Sequence, residues 1–228
     1  MPEQTLTFPG RAQTLAGFLA LPERAGPGPA LVIIHEVFGL NDNMRQIARD
    51  FAAAGYAALA VDLYSGRNRI ICMARFFSGL LLKSLDHGAI GDLKAALDWL
   101  AARPEVDPGR LGAVGFCMGG SFAIAWAATD KRLKAIAPYS AMNPRPAEAV
   151  ARLCPVVGSF PTNDFSTPHG EKLDALLDRY NVPHDIKLYP ATSHSFFNPA
   201  SRDSNPASAA DAWERTVEWL GRYLGEGR

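Results

Sequence analysis

Cysteine is scarce in this chain, with three in 228 residues. Three thiols cannot all pair, so no disulfide framework stands in for a core, and the composition points to a reducing cytoplasm. Excess charge of either sign is also missing: 23 Lys and Arg face 23 Asp and Glu, for a formal net charge of +0 at pH 7. With acids and bases interspersed, neither a nucleic acid nor an anionic membrane surface is the expected partner. The apolar stretches at Ile70–Met73, Phe76–Phe77 and Leu80–Leu82 are broken by Arg75 and Lys83 and fall short of the ~20 residues a membrane span needs. No internal repeat or low-complexity tract occurs, and Met1–Phe8 lacks the charged, apolar and small-residue order of a signal peptide. What is left is a globular protein whose partner is a small molecule.

Length favours one domain over residues 1–228. A chain of this size buries roughly 70–75% of its unfolded surface, enough for a core without staples. Apolar strands alternate with helical patterns: Leu31–Ile34 then Asn43–Ala54, Ala57–Val61 then His87–Ala102, Leu111–Phe116 then Met118–Ala128, and Leu133–Tyr139 then Arg145–Leu153. A hairpin at Gln4–Phe8 and Ala16–Leu21 precedes them, and Asn43, Pro168 and Pro206 offer helix starts. The last helix, Ser208–Leu224, places Trp213, Val217 and Leu220 on one face. This alternation predicts an α/β fold: a doubly wound, mostly parallel sheet with helices on both faces.

The informative motif is Gly115-Phe116-Cys117-Met118-Gly119-Gly120, which joins an apolar strand to a helix. α/β-Hydrolases mount their nucleophile on such a sharp turn, where glycines two residues to either side avoid collision with the neighbouring strand or helix. The turn ends at a helix N-terminus, whose partial positive charge favours thiolate and whose backbone N–H groups can cradle an oxyanion. A buried cysteine is more often a small packed hydrophobe. Chain order favours catalysis here, because an α/β-hydrolase triad runs nucleophile, acid, histidine. Cys154–Phe160 reads as a strand leading into a loop with Asp164, and His184–Tyr189 reads as the next strand, leading to His194. Asp62 precedes the nucleophile, the wrong order for the acid; His35 ends an apolar strand and is placed to shape a loop; His87, His169 and His184 read as surface or capping residues. Cys72 and Cys154 lack the elbow glycines and read as inert.

Taken together, His35-Glu36-Val37-Phe38-Gly39-Leu40-Asn41, the Cys117 elbow, Asp164 and His194-Ser195-Phe196-Phe197-Asn198 resemble the dienelactone hydrolase (carboxymethylenebutenolidase) family over Thr5 to Leu224. The resemblance implies an α/β-hydrolase fold and a Cys117, Asp164, His194 triad that hydrolyses small esters or lactones through an acyl-thioester, without metal or organic cofactor. It further implies an oxyanion hole made by the backbone N–H groups of Val37 and Met118. Glu36 would repel a developing oxyanion; by the resemblance it instead holds the resting Cys117 thiol neutral and moves aside when substrate binds.

Residues 65–86 are irregular and apolar, and read as a lid over the site or a packed connection. An apolar lid implies an apolar acyl or alcohol portion. Family members that bind a carboxylated dienelactone place one arginine in this segment and one shortly after the triad histidine. Here the segment offers Arg67, Arg69 and Arg75, with Tyr64 and Phe38 nearby, but no cation follows His194 until Arg202. Arg67, Arg75, Tyr64, Phe38 and Arg202 are therefore candidate substrate-binding residues. Two alternatives stand beside the lactonase: a broader carboxylesterase or thioesterase, and a non-catalytic small-molecule receptor on the same fold. Oligomeric state is not readable from the sequence.

Overall fold

The computed structural model describes residues 1–225, so residues 226–228 of the expected domain lie outside the described residues. Eight strands form one sheet in the order β1-β2-β4-β3-β5-β6-β7-β8. β1 (Glu3–Pro9) and β2 (Thr14–Ala20) make the expected antiparallel hairpin, and β2 runs antiparallel to β4 (Ala57–Asp62). The pairs linking β4, β3 (Gly28–Ile34), β5 (Val106–Phe116), β6 (Leu133–Tyr139), β7 (Val156–Pro161) and β8 (His184–Tyr189) are all parallel. Every residue of β3 is buried, as a strand covered on both faces by helices must be.

Two layers of helix provide that cover. α1 (Asp42–Ala53) and α6 (Pro206–Leu224) bury Met44, Phe51, Trp219 and Leu220 on one face. α3 (Gly88–Ala101), α4 (Met118–Ala127) and α5 (Thr167–Arg179) bury Leu93, Phe122 and Leu173 on the other. The expected start of α1 shifts from Asn43 to Asn41, whose extended backbone lets its side-chain oxygen accept from Met44 N–H at 3.0 Å. Pro168 and Pro206 do stand in the first turns of their helices, where a missing N–H costs nothing.

The helix expected over Arg145–Leu153 is only a short 3-10 turn, Ala147–Arg152. Pro146 and Pro155 bracket it, and Leu153 has already turned extended, with ψ 152°. Residues 65–86, by contrast, are mainly helical. α2 (Arg69–Lys83) starts at Asn68, whose side chain accepts from the N–H groups of Ile70 and Ile71, and a 3-10 turn at Ser84–Asp86 follows. Its inner face buries Cys72, Phe76 and Leu80, with Phe76 edge-on to Phe122 of α4. Ile70, Ile71, Leu81 and Leu82 stay exposed. Among the described residues no helix is long and apolar enough to cross a membrane.

Parallel strands deliver their following loops to one edge, so the segments after β3, β4, β5, β7 and β8 meet there. Ligands bind at that edge in open α/β sheets.

Candidate active site

The elbow after β5 places Cys117 in the left-handed region, with φ 54° and ψ −115°, where a non-glycine residue is strained. Two backbone hydrogen bonds hold it: Cys117 N–H donates to Tyr139 O at 2.8 Å, and Ser121 N–H donates to Cys117 O at 3.1 Å. The flanking glycines are sterically required. A Cβ on Gly115 would stand 2.2 Å from Gly119 O, and one on Gly119 would stand 2.3 Å from Ile34 O. The turn can be this tight only because neither residue has a side chain.

Asp164 and His194 come together from the loops after β7 and β8. His194 Nδ1 donates to Asp164 Oδ2 at 2.8 Å, and the same oxygen accepts from Ser166 N–H and the Ser166 hydroxyl. Burial raises the Asp164 carboxyl, but the bonds from His194 and Ser166 outweigh it and hold the pKa below the usual carboxylate value. With Nδ1 as donor, Nε2 carries the lone pair, and this buried nitrogen makes no hydrogen bond among the described residues. Phe165 stacks on the imidazole, ring centroids 4.8 Å apart.

Glu36 is almost wholly enclosed, 1% exposed, and its Oε1 accepts from Asn198 Nδ2 at 3.2 Å. Burial raises its pKa, while Asn198 and the nearby His194 oppose the rise. Cys117 is buried as well, 8% exposed. Burial pushes Cys117 up to about 12; Met118 N–H pulls the other way, and the charges of Glu36 and Asp164 push it higher. The helix N-terminus was expected to favour thiolate, and its Met118 N–H does act in that direction, but desolvation is the larger effect. The thiol is therefore neutral, and among the described residues it shares no hydrogen bond with His194 Nε2.

The loop carrying Glu36 and Val37 is pinned from two sides. His35 donates from Nδ1 to Glu36 O and accepts at Nε2 from Leu63 N–H at 3.0 Å. The Tyr64 hydroxyl donates to Val37 O at 2.9 Å, and Arg69 donates to the carbonyls of Val37 and Phe38. Phe38, the next side chain along, is 56% exposed at the rim.

Of the other residues singled out in the sequence, Arg67 donates to the carbonyls of Leu63 and Tyr64. Arg75 lines a cavity of about 420 Å³ with Arg11, Gln13, His87 and Asp92, and none of Cys117, Asp164 and His194 borders it. Arg202 is exposed in the turn before α6. Sequence reasoning missed two contacts: the Phe165 ring on His194, although it directly follows Asp164, and the Asn198 amide on Glu36, although Asn198 closes the His194 motif. Among the described residues no group of three or more His, Cys, Asp or Glu side chains is placed to hold a metal ion.

This arrangement has known counterparts. A model of the dienelactone hydrolase family matches residues 15–224. An Escherichia coli K12 protein provisionally named a carboxymethylenebutenolidase is 30% identical over 236 aligned residues, covering 96% of this chain and 87% of its own length. One from Synechocystis with the same provisional name is 30% identical, covering 93% of this chain and 94% of its own. A Klebsiella pneumoniae crystal structure, provisionally named a dienelactone hydrolase, superposes with a TM-score of 0.85 at 27% identity, covering 97% of this chain and 99% of that one. With the elbow, the buried glutamate and the acid–imidazole pair on this sheet edge, the chain belongs to the dienelactone hydrolase family.

Proposed function

We propose that the protein hydrolyses carboxylic ester bonds of small esters or lactones, with Cys117 as nucleophile, His194 as base and Asp164 as the group that orients the imidazole. The observation that carries this reading is the 2.8 Å bond from His194 Nδ1 to Asp164, which leaves Nε2 as the open, proton-accepting nitrogen at the edge where the strained cysteine stands.

In the resting enzyme the enclosed thiol keeps its proton, which protects it from oxidation, since thiolate is the form that oxidants attack. Substrate entering the site displaces Glu36 from beside the thiol. The Cys117 proton then passes to His194 Nε2, and the sulfur attacks the carbonyl carbon. The backbone N–H groups of Met118 and Val37 hold the tetrahedral oxygen; losing one donor of such a hole costs about 3–4 kcal/mol of barrier. Collapse breaks the C–O bond, the departing oxygen takes the proton from His194, and the acyl group stays on sulfur. A water molecule gives a proton to His194 and its hydroxide adds to the thioester; the acid leaves and the thiol regains its proton.

A single domain, a reducing cytoplasmic setting suited to a working thiol, and a lid role for residues 65–86 belong to the same proposal. The packed Cys72–Phe76–Leu80 face of α2 supports a cover held against the body of the protein. Incubation with 4-nitrophenyl acetate and rapid acid quench should add one acetyl group to Cys117 by mass spectrometry. Cys117→Ser should lose at least about a hundredfold in kcat/KM, because a hydroxyl needs a stronger base than the thiol. Full turnover by the serine variant, or an acyl group on another residue, would overturn the assignment.

A further inference from the structure

We propose that this site selects neutral, apolar esters and disfavours substrates with a free carboxylate close to the reacting carbonyl, and that Phe38 and Phe165 form the wall receiving the apolar group. The inference rests on the hydrolase reading above and names its substrate class.

Large apolar side chains are unusually exposed around this edge. Phe38 leaves β3 beside Val37, and Phe165 leaves β7 beside Asp164, each 56% exposed. The first turn of α2, tied to the Phe38 carbonyl through Arg69, exposes Ile70 and Ile71 as well. Single exposed apolar residues need no explanation, but a cluster on loops that converge at one site marks a binding surface. Phe165 is the most telling of them. Its ring lies on the imidazole that takes the thiol proton, so an apolar group resting against Phe165 is already beside the reacting atoms.

Charge points the same way. The charged side chains acting on the thiol are Glu36 and Asp164, both anionic. The arginines of the 65–86 segment keep their charge, but hydrogen bonds to backbone carbonyls fix where two of them sit. Arg67 donates to the carbonyls of Leu63 and Tyr64, and Arg69 donates to those of Val37 and Phe38 with its guanidinium 5.6 Å from the centre of the Tyr64 ring. Arg75 faces the separate cavity shared with Arg11 and Asp92. Between His194 and Arg202 the chain has no Lys or Arg, and at Asn198 a neutral amide contacts Glu36. A substrate carboxylate beside the thiol would meet the charges of Glu36 and Asp164, and no arginine is among the charges acting there; like charge in a partly enclosed site is a strong means of rejection.

The test uses the full chain and two esters of similar size, 4-nitrophenyl butyrate and 4-nitrophenyl hemisuccinate. The butyrate should have the higher kcat/KM by about tenfold or more at low salt, with the gap narrowing as salt screens the repulsion. Phe38→Ala and Phe165→Ala should each lower the ratio of hexanoate to acetate turnover by about fivefold, and Phe38→Arg should raise the ratio of hemisuccinate to butyrate. Both aromatic residues are exposed, and the comparison of esters on the unaltered protein decides by itself should a variant fold poorly. Acylation of Cys117 by both esters with the hemisuccinate equal or preferred would overturn this inference and leave the hydrolase reading intact. Failure of both esters to acylate Cys117 would overturn both.

Discussion

At the scale of single residues, the governing contest is between burial and charge at one sulfur atom. Glu36 is a carboxylate beside a thiol, and its charge adds to desolvation in keeping that thiol protonated. Replacing it with the isosteric amide removes the charge and leaves the volume, so the thiol pKa should fall. Glu36→Gln should therefore be alkylated by iodoacetamide at pH 8 about three- to tenfold faster, with the midpoint of the pH–rate curve moved down; an unchanged or slower rate would contradict the role given to Glu36. The Cys117 elbow and the pairing of Asp164 with His194 were legible in the sequence because the flanking glycines and the order of loops after successive strands restrict them strongly. The Asn198 contact was not, because 162 residues separate it from Glu36 and an amide fits equally well as a turn former. Phe165 was hidden for a different reason: nothing in a sequence tells which way an aromatic ring beside an acidic residue will turn.

Elements explain why that sulfur stays where it is. The elbow closes only if the first turn of α4 can press against the end of β3, and Gly119 is the point of contact, with Ile34 O 2.3 Å from where a Cβ would stand. Gly119→Ala must push the strand and the helix apart. It should cost about 1–3 kcal/mol in urea denaturation and lower turnover more than stability, since Cys117 and Met118 move with the helix; a variant matching the parent in both would show that the turn tolerates a side chain. Strands were well marked in the sequence, since buried parallel strands read as apolar runs and β3 to β6 contain the segments expected for them. Helix ends were less so. Asn41 and Asn43 are equally good caps on paper, and only the backbone conformation selects Asn41. The turn after β6 failed as a full helix because prolines on both sides leave too little chain, a constraint that apolar spacing does not report.

Across the whole molecule, buried histidines add to the sensitivity to acid. Burial lowers the pKa of His35, His87 and His169 below the ordinary 6.5. In the unfolded chain these groups take up protons near 6.5, in the folded one only at lower pH, so the unfolded state binds more protons in between and stability falls as pH drops below about 6.5. Asp164, whose pKa is lowered, adds stability that is present above about 3.9 and is lost as pH falls through its folded value. The urea midpoint should be level between pH 7.5 and 8.5 and clearly lower at pH 5.5. An equal midpoint at pH 5.5 would mean that these imidazoles are as free in the fold as in the open chain.

His35 also shows how labour is divided between it and His194. One of its nitrogens gives a hydrogen to a peptide carbonyl and the other receives one from a peptide amide, so the ring serves as a rivet between the exits of β3 and β4. A rivet in that state has no lone pair to offer a passing proton. His194 is anchored through one nitrogen only, so on the proposed reading its Nε2 keeps the lone pair that His35 has spent.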